Sequence, residues 1–178
     1  MIYVFLADGF EEIEALATVD VLRRAKLSVQ TVGVNKTSVK GSHNMIIEAD
    51  ILDKDIQEDF EAIVLPGGMP GTINLEQSPI VQQTIDLAME KKKVIAAICA
   101  APSILGHKNL LNGLEAICFP GFEKDLYGAR ISQNAVTKSG NIITGKGSGV
   151  TIPFALKIVE TLTSKDIADN VCSSMQCL

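Results

Sequence analysis

Cys99 is the residue of this chain whose type and position best suit covalent chemistry. It follows an apolar run, residues 94–98, and precedes small residues and Pro102, a pattern that predicts a buried strand turning into a helix. The sharp nucleophile elbow of hydrolases requires small residues two positions before and after the nucleophile, and alanines occupy both positions. Free N–H groups at a helix start favour the thiolate. The alternative is that Cys99 is a small buried hydrophobic residue that ends a strand.

Two other segments offer groups that could act together with this thiol. Residues 66–68 (PGG) follow another apolar run and could turn the amides of Gly67 and Gly68 toward the same crevice. The N–H of Gly68, with that of Ala100, could form an oxyanion hole, although a PGG sequence alone is more often only a tight turn. Glu14 lies one turn inside the predicted first helix. A desolvated carboxyl group there would stay protonated and donate a hydrogen bond that favours the thiolate.

Alternating strands and helices must bring these residues together. Continuous apolar runs predict strands that are buried on both faces, as in parallel sheets. Ligands of such sheets bind beyond the carboxyl ends of the strands, where all three segments lie. The sequence therefore predicts one α/β domain over residues 1–178, with a doubly wound, mostly parallel sheet sandwiched by helices. The predicted strands are 2–7, 29–34, 62–65 and 94–98, followed by further strands and a hairpin within 114–144 that turns at 139–141. The predicted helices are about 11–24, 79–92, 150–162 and 165–173, with a polar hairpin at 35–48 and an irregular connection at 49–60.

The first helix carries both apolar and acidic residues. We expect Glu11 and Glu12 to be solvated in its first turn, where the helix dipole favours negative charge. The apolar stripe predicted for this helix consists of Ile13, Leu16, Ala17 and Val21.

The two histidines limit the possible mechanisms. His107 lies on the helix predicted after Cys99 and should point away from the thiol, and His43 lies in the polar hairpin, which we expect to be distant from it. Neither follows a later strand end, where a Cys-His pair would draw its base, so we expect no Cys-His-Asp triad.

The remaining cysteines are assigned minor roles. Cys118 lies beside Phe119 at a later strand end, and both could border the pocket. Cys172 and Cys177 are near the C-terminus, and we expect them to be incidental. No CxxC pair or zinc-type spacing occurs, which predicts free thiols, no metal site and no cofactor.

The composition excludes several classes of function. Net charge is −5, and the longest basic run is three lysines at 91–93, which argues against dedicated nucleic-acid binding. No targeting segment and no apolar run of membrane-spanning length is visible. We therefore expect a reduced, cytoplasmic protein.

Five segments in order resemble the DJ-1/ThiJ/PfpI superfamily, in the branch of the parkinsonism-associated protein and its bacterial relatives. The resemblance runs nearly end to end, and the five motifs together are highly specific. They are residues 9–14 (GFEEIE), 19–24 (VDVLRR), 64–68 (VLPGG), 96–102 (AAICAAP) and 144–149 (TGKGSG).

The resemblance implies a flavodoxin-like fold related to class I glutamine amidotransferases, a homodimer, and an oxidation-prone thiol at Cys99. It also implies that Glu14 is the protonated partner of that thiolate and that Gly68 and Ala100 supply amides to the pocket. Family members are described as stress-response proteins, cofactor-independent glyoxalases and deglycases. We therefore expect a Cys99-dependent enzyme acting on a small carbonyl substrate such as methylglyoxal. The alternatives are a non-enzymatic oxidative-stress sensor or redox-regulated chaperone and, third, a glutaminase-like or protease-like hydrolase.

The chain departs from the family pattern at four positions. Phe119 replaces a pocket histidine of the animal branch. Lys146 and His43 stand where arginines are common, so an anion subsite built from those arginines does not transfer. Ala100 replaces the histidine that follows the cysteine in the protease-like branch, which removes the dyad that this branch would use.

Overall fold

The computed structural model describes residues 1–177, and a seven-stranded sheet lies at its centre. The strands are β1 (Ile2–Leu6), β2 (Val29–Gly33), β3 (Ser38–Lys40), β4 (Ile46–Glu48), β5 (Ile51–Leu52), β6 (Ala62–Leu65), β7 (Val94–Ile98), β8 (Glu115–Ala116), β9 (Arg130–Ile131), β10 (Val136–Ser139) and β11 (Ile142–Gly145). The helices are α1 (Glu12–Arg24), α2 (Gly71–Gln77), α3 (Pro79–Glu90), α4 (Pro102–His107), α5 (Thr151–Leu162) and α6 (Lys165–Ser174), with 3-10 turns at Asp53–Asp55, Glu123–Asp125 and Ser148–Val150.

The strand order in the central sheet is β10-β11-β7-β6-β1-β2-β5, and only β10 is antiparallel to its neighbour. The pairs β3–β4 and β8–β9 lie outside this sheet. The predicted α/β architecture with a mostly parallel sheet is therefore confirmed.

Side chains alternate between two cores on the two faces of the sheet. In β1, Tyr3 and Phe5 pack with α2, α3 and α4, whereas Ile2 and Val4 pack with α1, α5 and α6. Both faces are covered by helices, which explains why the strands appear in the sequence as unbroken apolar runs. Among residues 1–177, no helix combines the length and apolarity needed to cross a membrane.

Two elements were not predicted. Strand β5 is only two residues long and pairs with the end of β2 at the sheet edge, so its signal is lost in the acidic stretch around it. Helix α2 begins directly after Pro70 and has no side-chain cap, so the sequence offers little to mark its start. The predicted hairpin at 139–141 is present, with Gly140 at φ +60° between β10 and β11.

The buried face of α1 differs from the predicted stripe. Ile13 is 57% exposed, whereas its neighbour Glu14 is completely buried. The helix packs against both the sheet and α5, so Ala15, Thr18 and Leu22 point into the interior. The periodicity of the apolar residues predicted the helix correctly, but in its first turn it placed Ile13 on the buried face, where Glu14 lies instead.

Candidate functional site

Cys99 lies in a sharp turn where β7 ends. Its φ is +63°, a left-handed conformation that costs a non-glycine residue about 1 to 3 kcal/mol. Two hydrogen bonds hold the turn: the Cys99 N–H donates to the Gly145 carbonyl (2.9 Å), and the Cys99 carbonyl accepts from the Phe119 N–H (2.8 Å). The backbone therefore has the elbow that the small flanking residues predicted, although α4 begins only at Pro102.

Gly67 allows the thiol and the carboxyl group to approach each other. A Cβ at this position would lie 2.7 Å from Cys99 Cβ and 2.9 Å from Glu14 Oε2, so a larger residue would force the site apart. The Gly67 N–H donates to Glu14 Oε2 (2.8 Å). Because this amide is already bound, Gly67 does not serve the predicted oxyanion site and instead holds Glu14.

The carboxyl group of Glu14 is removed from water with little compensation. Its Oε2 accepts from Gly67, whereas its buried Oε1 has no hydrogen-bond partner of good geometry among the residues described. Burial raises the pKa of Glu14 to about 7, against the opposing effects of the Gly67 amide and the Cys99 thiol. The nearby charge of Glu11 raises it further. The sequence-based expectation of a desolvated carboxyl group that tends to hold its proton agrees with this environment.

The thiol itself has an environment opposite to the one expected from the sequence. Burial raises the pKa of Cys99 to about 12, and the charge and hydrogen bond of Glu14 raise it in the same direction. The amides of Ala100 and Gly68 oppose this and favour the thiolate. The repulsion disappears when Glu14 is neutral, so the thiol ionises more easily while Glu14 keeps its proton, although burial still raises the pKa of Cys99. The two groups therefore share their protons as a coupled pair.

Glu11 connects the start of α1 to the glycine turn, a role that the sequence did not reveal. Its Oε2 accepts from the Glu14 N–H (2.7 Å), which caps the helix, and its own N–H donates to the Gly67 carbonyl (2.9 Å). The Glu11 side chain is only 12% exposed, so the expectation that it would be solvated is wrong.

Glu12 is also buried, because the loop between β3 and β4 folds over the start of α1. Its Oε1 accepts from the N–H of His43 (2.7 Å), and its Oε2 lies 2.9 Å from His43 Nδ1 and 3.2 Å from Ser42 Oγ. These bonds outweigh burial and lower the pKa of Glu12, whereas the carboxylate raises the pKa of His43. His43 therefore contacts the start of α1, the helix that carries Glu14.

Glu11, Glu12 and His43 form the candidate metal-binding group within residues 1–177, with ligand atoms within 4.8 Å of one another. Both Glu12 oxygens already accept hydrogen bonds from the loop, so an ion bound there would have to displace them. The ion pair between His43 and Glu12 is enough to explain why these three side chains lie together.

Of the two residues expected at the pocket rim, one is buried in the core and the other is exposed. Cys118 is 1% exposed and packs in the core beneath α4, so it does not border an open pocket. Phe119 is exposed and lines a cleft of about 260 Å³ together with Lys146 and the glycine-rich turn before α5. A larger cleft of about 530 Å³ lies beyond β1 and β2, lined by residues such as Asp8 and Lys36, and does not include the thiol.

The other histidine takes no part in the site. His107 Nδ1 lies 2.5 Å from a Glu76 carboxylate oxygen, and its Nε2 lies 3.7 Å from Asp125. This agrees with the expectation that it points away from the thiol.

Comparisons with known proteins agree with this fold. Residues 1–161 match the DJ-1/PfpI family. The chain is 35% identical over 174 residues to the Parkinson disease protein 7 homolog of Danio rerio, which covers 94% of this chain and 92% of that protein. It is 35% identical over 158 residues to the glutathione-independent glyoxalase DJR-1.2 of Caenorhabditis elegans, and this match covers 85% of this chain and 82% of that protein. The structure of oxidized DJ-1 from Toxoplasma gondii superposes with a TM-score of 0.94 at 31% identity, over 98% of this chain and 97% of that chain.

The burial of Glu14 predicts a pH-dependent cost to stability. Its folded-state pKa of about 7 lies above the ordinary 4.5, so the folded state holds the proton more tightly than the unfolded state. The stabilising effect of the bound proton is complete below pH 4.5 and is lost as the pH rises to 7. Relative to Glu14→Gln, a neutral isostere, the wild-type protein should lose about 3 kcal/mol across this range. Urea unfolding of both proteins at a series of pH values measures the difference.

The exposed variant Glu58→Gln controls for the loss of one surface carboxylate. A stability difference between wild type and Glu14→Gln that stays constant from pH 4 to pH 8 would contradict the assigned environment of Glu14.

Proposed function

The chain belongs to the DJ-1/PfpI family, and from that premise we propose that it is a cysteine-dependent stress-response enzyme that converts small reactive dicarbonyls, such as methylglyoxal, into hydroxy acids. The observation that carries this proposal is the buried carboxyl group of Glu14, which has a pKa of about 7 and lies beside the Cys99 thiol in its elbow. A general acid–base group works best when its pKa is near the operating pH. The named glyoxalase among the relatives supports the same reaction class.

In the first step, ionised Glu14 accepts the Cys99 proton while the sulfur attacks the aldehyde carbon. The C–S bond forms and the carbonyl oxygen becomes an oxyanion. Because the Ala100 and Gly68 amides act on the sulfur atom, they are well placed for this adjacent oxygen. Transfer of the proton from Glu14 to the oxygen completes a hemithioacetal. Cys99 therefore needs no resting thiolate, which accommodates its raised pKa.

The second step moves hydrogen between the two carbons of the substrate. Glu14 removes the proton from the carbon bonded to sulfur, which leaves an enediol, and returns it to the neighbouring carbon. The hydroxyl proton on the first carbon passes to the oxygen on the second, so the hemithioacetal becomes a thioester of the hydroxy acid. Water then hydrolyses the thioester and restores the Cys99 thiol. The sum is methylglyoxal plus water giving lactic acid, with no net oxidation and no glutathione.

Phe119 and Lys146 suggest how the substrate is accommodated. They line the same cleft, one with an apolar ring and the other with a cation, and the N–H of Phe119 joins this cleft to the elbow by donating to the Cys99 carbonyl. A compact, uncharged dicarbonyl would contact the ring, and the ammonium group would favour the developing carboxylate of the product. A homodimer, which the family resemblance implies, and a cytoplasmic location, which the free cysteines and the absence of a visible targeting segment favour, stay predictions.

A non-enzymatic oxidative-stress sensor, or a redox-regulated chaperone, is the second candidate. The observation that favours it is that Cys99 is partly exposed and faces two amide donors, which would also stabilise a sulfinate. One structural neighbour is named as oxidized DJ-1.

The enzymatic proposal predicts that purified protein forms lactate from methylglyoxal without glutathione. Cys99→Ser should reduce the rate to the uncatalysed background, because serine lacks a comparable nucleophile. Glu14→Gln should lower kcat by about 100-fold or more, since the amide cannot carry protons between the reacting atoms. Enzymatic assay of lactate measures both effects.

Cys172→Ser is the matched control, because it removes a partly exposed thiol outside the elbow, and it should leave the rate unchanged. Lactate formation by Cys99→Ser at the wild-type rate would rule out the proposed enzyme.

The sensor candidate predicts a selective oxidation. Mild hydrogen peroxide should add two oxygens to Cys99 before any oxygen is added to the other three cysteines, as followed by intact mass and peptide mapping. Simultaneous oxygen addition at all four sites would contradict a dedicated sensor at this position.

A further inference from the structure

Two cysteines that the proposed reaction does not use lie together where α6 ends. The helix ends at Ser174, and Gln176 adopts φ +56°, which reverses the chain. The N–H of Cys177 then donates to the Cys172 carbonyl (3.1 Å), and the N–H of Gln176 donates to the Ser173 carbonyl (3.1 Å). This pair of bonds is the Schellman motif, which brings the residue after the reversal back over the last turn of the helix.

The motif usually joins two apolar side chains, but here it joins two thiols. A hydrogen bond to Cys177 is the largest of the effects that raise the pKa of Cys172, and burial, the charge of Cys177 and Asp169 act in the same direction. The chain reversal therefore places the two thiol side chains beside each other over the last turn of the helix. Both residues are partly exposed, so an oxidant in solution can reach them.

The remainder of α6 is fixed, which keeps this pair in place. Ala168 and Val171 are buried against the core between α1 and α5, and Met175 packs against the same core. The two sulfurs can therefore approach each other through side-chain rotation at the helix end, without a change in the fold.

We propose that Cys172 and Cys177 are a redox-active dithiol, held together by the chain reversal at Gln176, which a hydroperoxide converts into an intramolecular disulfide. The Cys177 sulfur attacks the peroxide, the O–O bond breaks, and a sulfenic acid and an alcohol or water are formed. The Cys172 sulfur then attacks the Cys177 sulfur, the S–O bond breaks, and water leaves with the Cys172 proton. Two thiols are oxidised by two electrons in total, and one peroxide is reduced.

The test uses the full chain with Cys99→Ala, so that the elbow thiol cannot contribute. After treatment with hydrogen peroxide, alkylation of the remaining thiols and digestion with trypsin, peptide 166–178 should have lost two hydrogens and carry no alkyl group. Dithiothreitol should restore both alkylation sites. Addition of oxygens to this peptide, without loss of hydrogens, would overturn the proposal, as would a disulfide that forms only between two chains.

Two substitutions at Gln176 test the geometry. Gln176→Gly keeps the left-handed conformation and should keep the disulfide yield. Gln176→Pro excludes a positive φ and removes the N–H that bonds to Ser173, so the yield should fall roughly tenfold as the effective concentration of one thiol near the other decreases. Equal yields in the two variants would contradict the role assigned to the reversal.

Discussion

The constraint on which this site depends is the removal of one carboxyl group from water. Glu14 is fully buried and receives one backbone hydrogen bond, from Gly67, so its ionised form is poorly compensated. Its neighbour Glu12 is also buried, yet the loop at 42–45 supplies several donors and lowers its pKa. Burial thus acts on both carboxyl groups, and the number of donors decides which of them stays ionised. Glu14 is the one left with a pKa near neutrality, where a group can both accept and release protons.

The fold creates this environment through the adjacency of three strand ends. Strands β1, β6 and β7 are neighbours and parallel, so the turns that follow them meet at one edge of the sheet. The turn after β6 can lie against the other two because Gly67 and Gly68 have no side chains: a Cβ on Gly67 would lie 2.7 Å from Cys99 Cβ, and one on Gly68 would lie 2.5 Å from the Glu11 nitrogen. The turn after β7 holds Cys99 in a strained conformation that hydrogen bonds from two other segments maintain. The site is therefore a property of the sheet and not of any single motif.

The sequence predicted those parts of the structure that depend on local pattern. Runs buried on both faces gave the strands at 62–65 and 94–98 with correct bounds, and the alanines around Cys99 gave the elbow. Contacts between segments far apart in the chain were not predictable. His43 meets Glu12 across 31 positions because a hairpin folds over α1, and no residue type in either segment signals that contact. The pKa of Cys99 was expected to fall because the helix start was considered without the opposing effects of burial and the Glu14 charge.

The protonation of Glu14 can be measured directly. Carbon-13 NMR of protein labelled at the glutamate side-chain carboxyl carbons, with Glu14→Gln to assign the resonance, follows its titration through neutral pH. The account predicts an apparent pKa of about 7 for this carboxyl group and a smaller coupled change when Cys99 ionises at higher pH. A Glu14 resonance that completes its titration below pH 5 would contradict the raised pKa, and Glu14 would then be too weak a base at neutral pH for the proposed proton transfers.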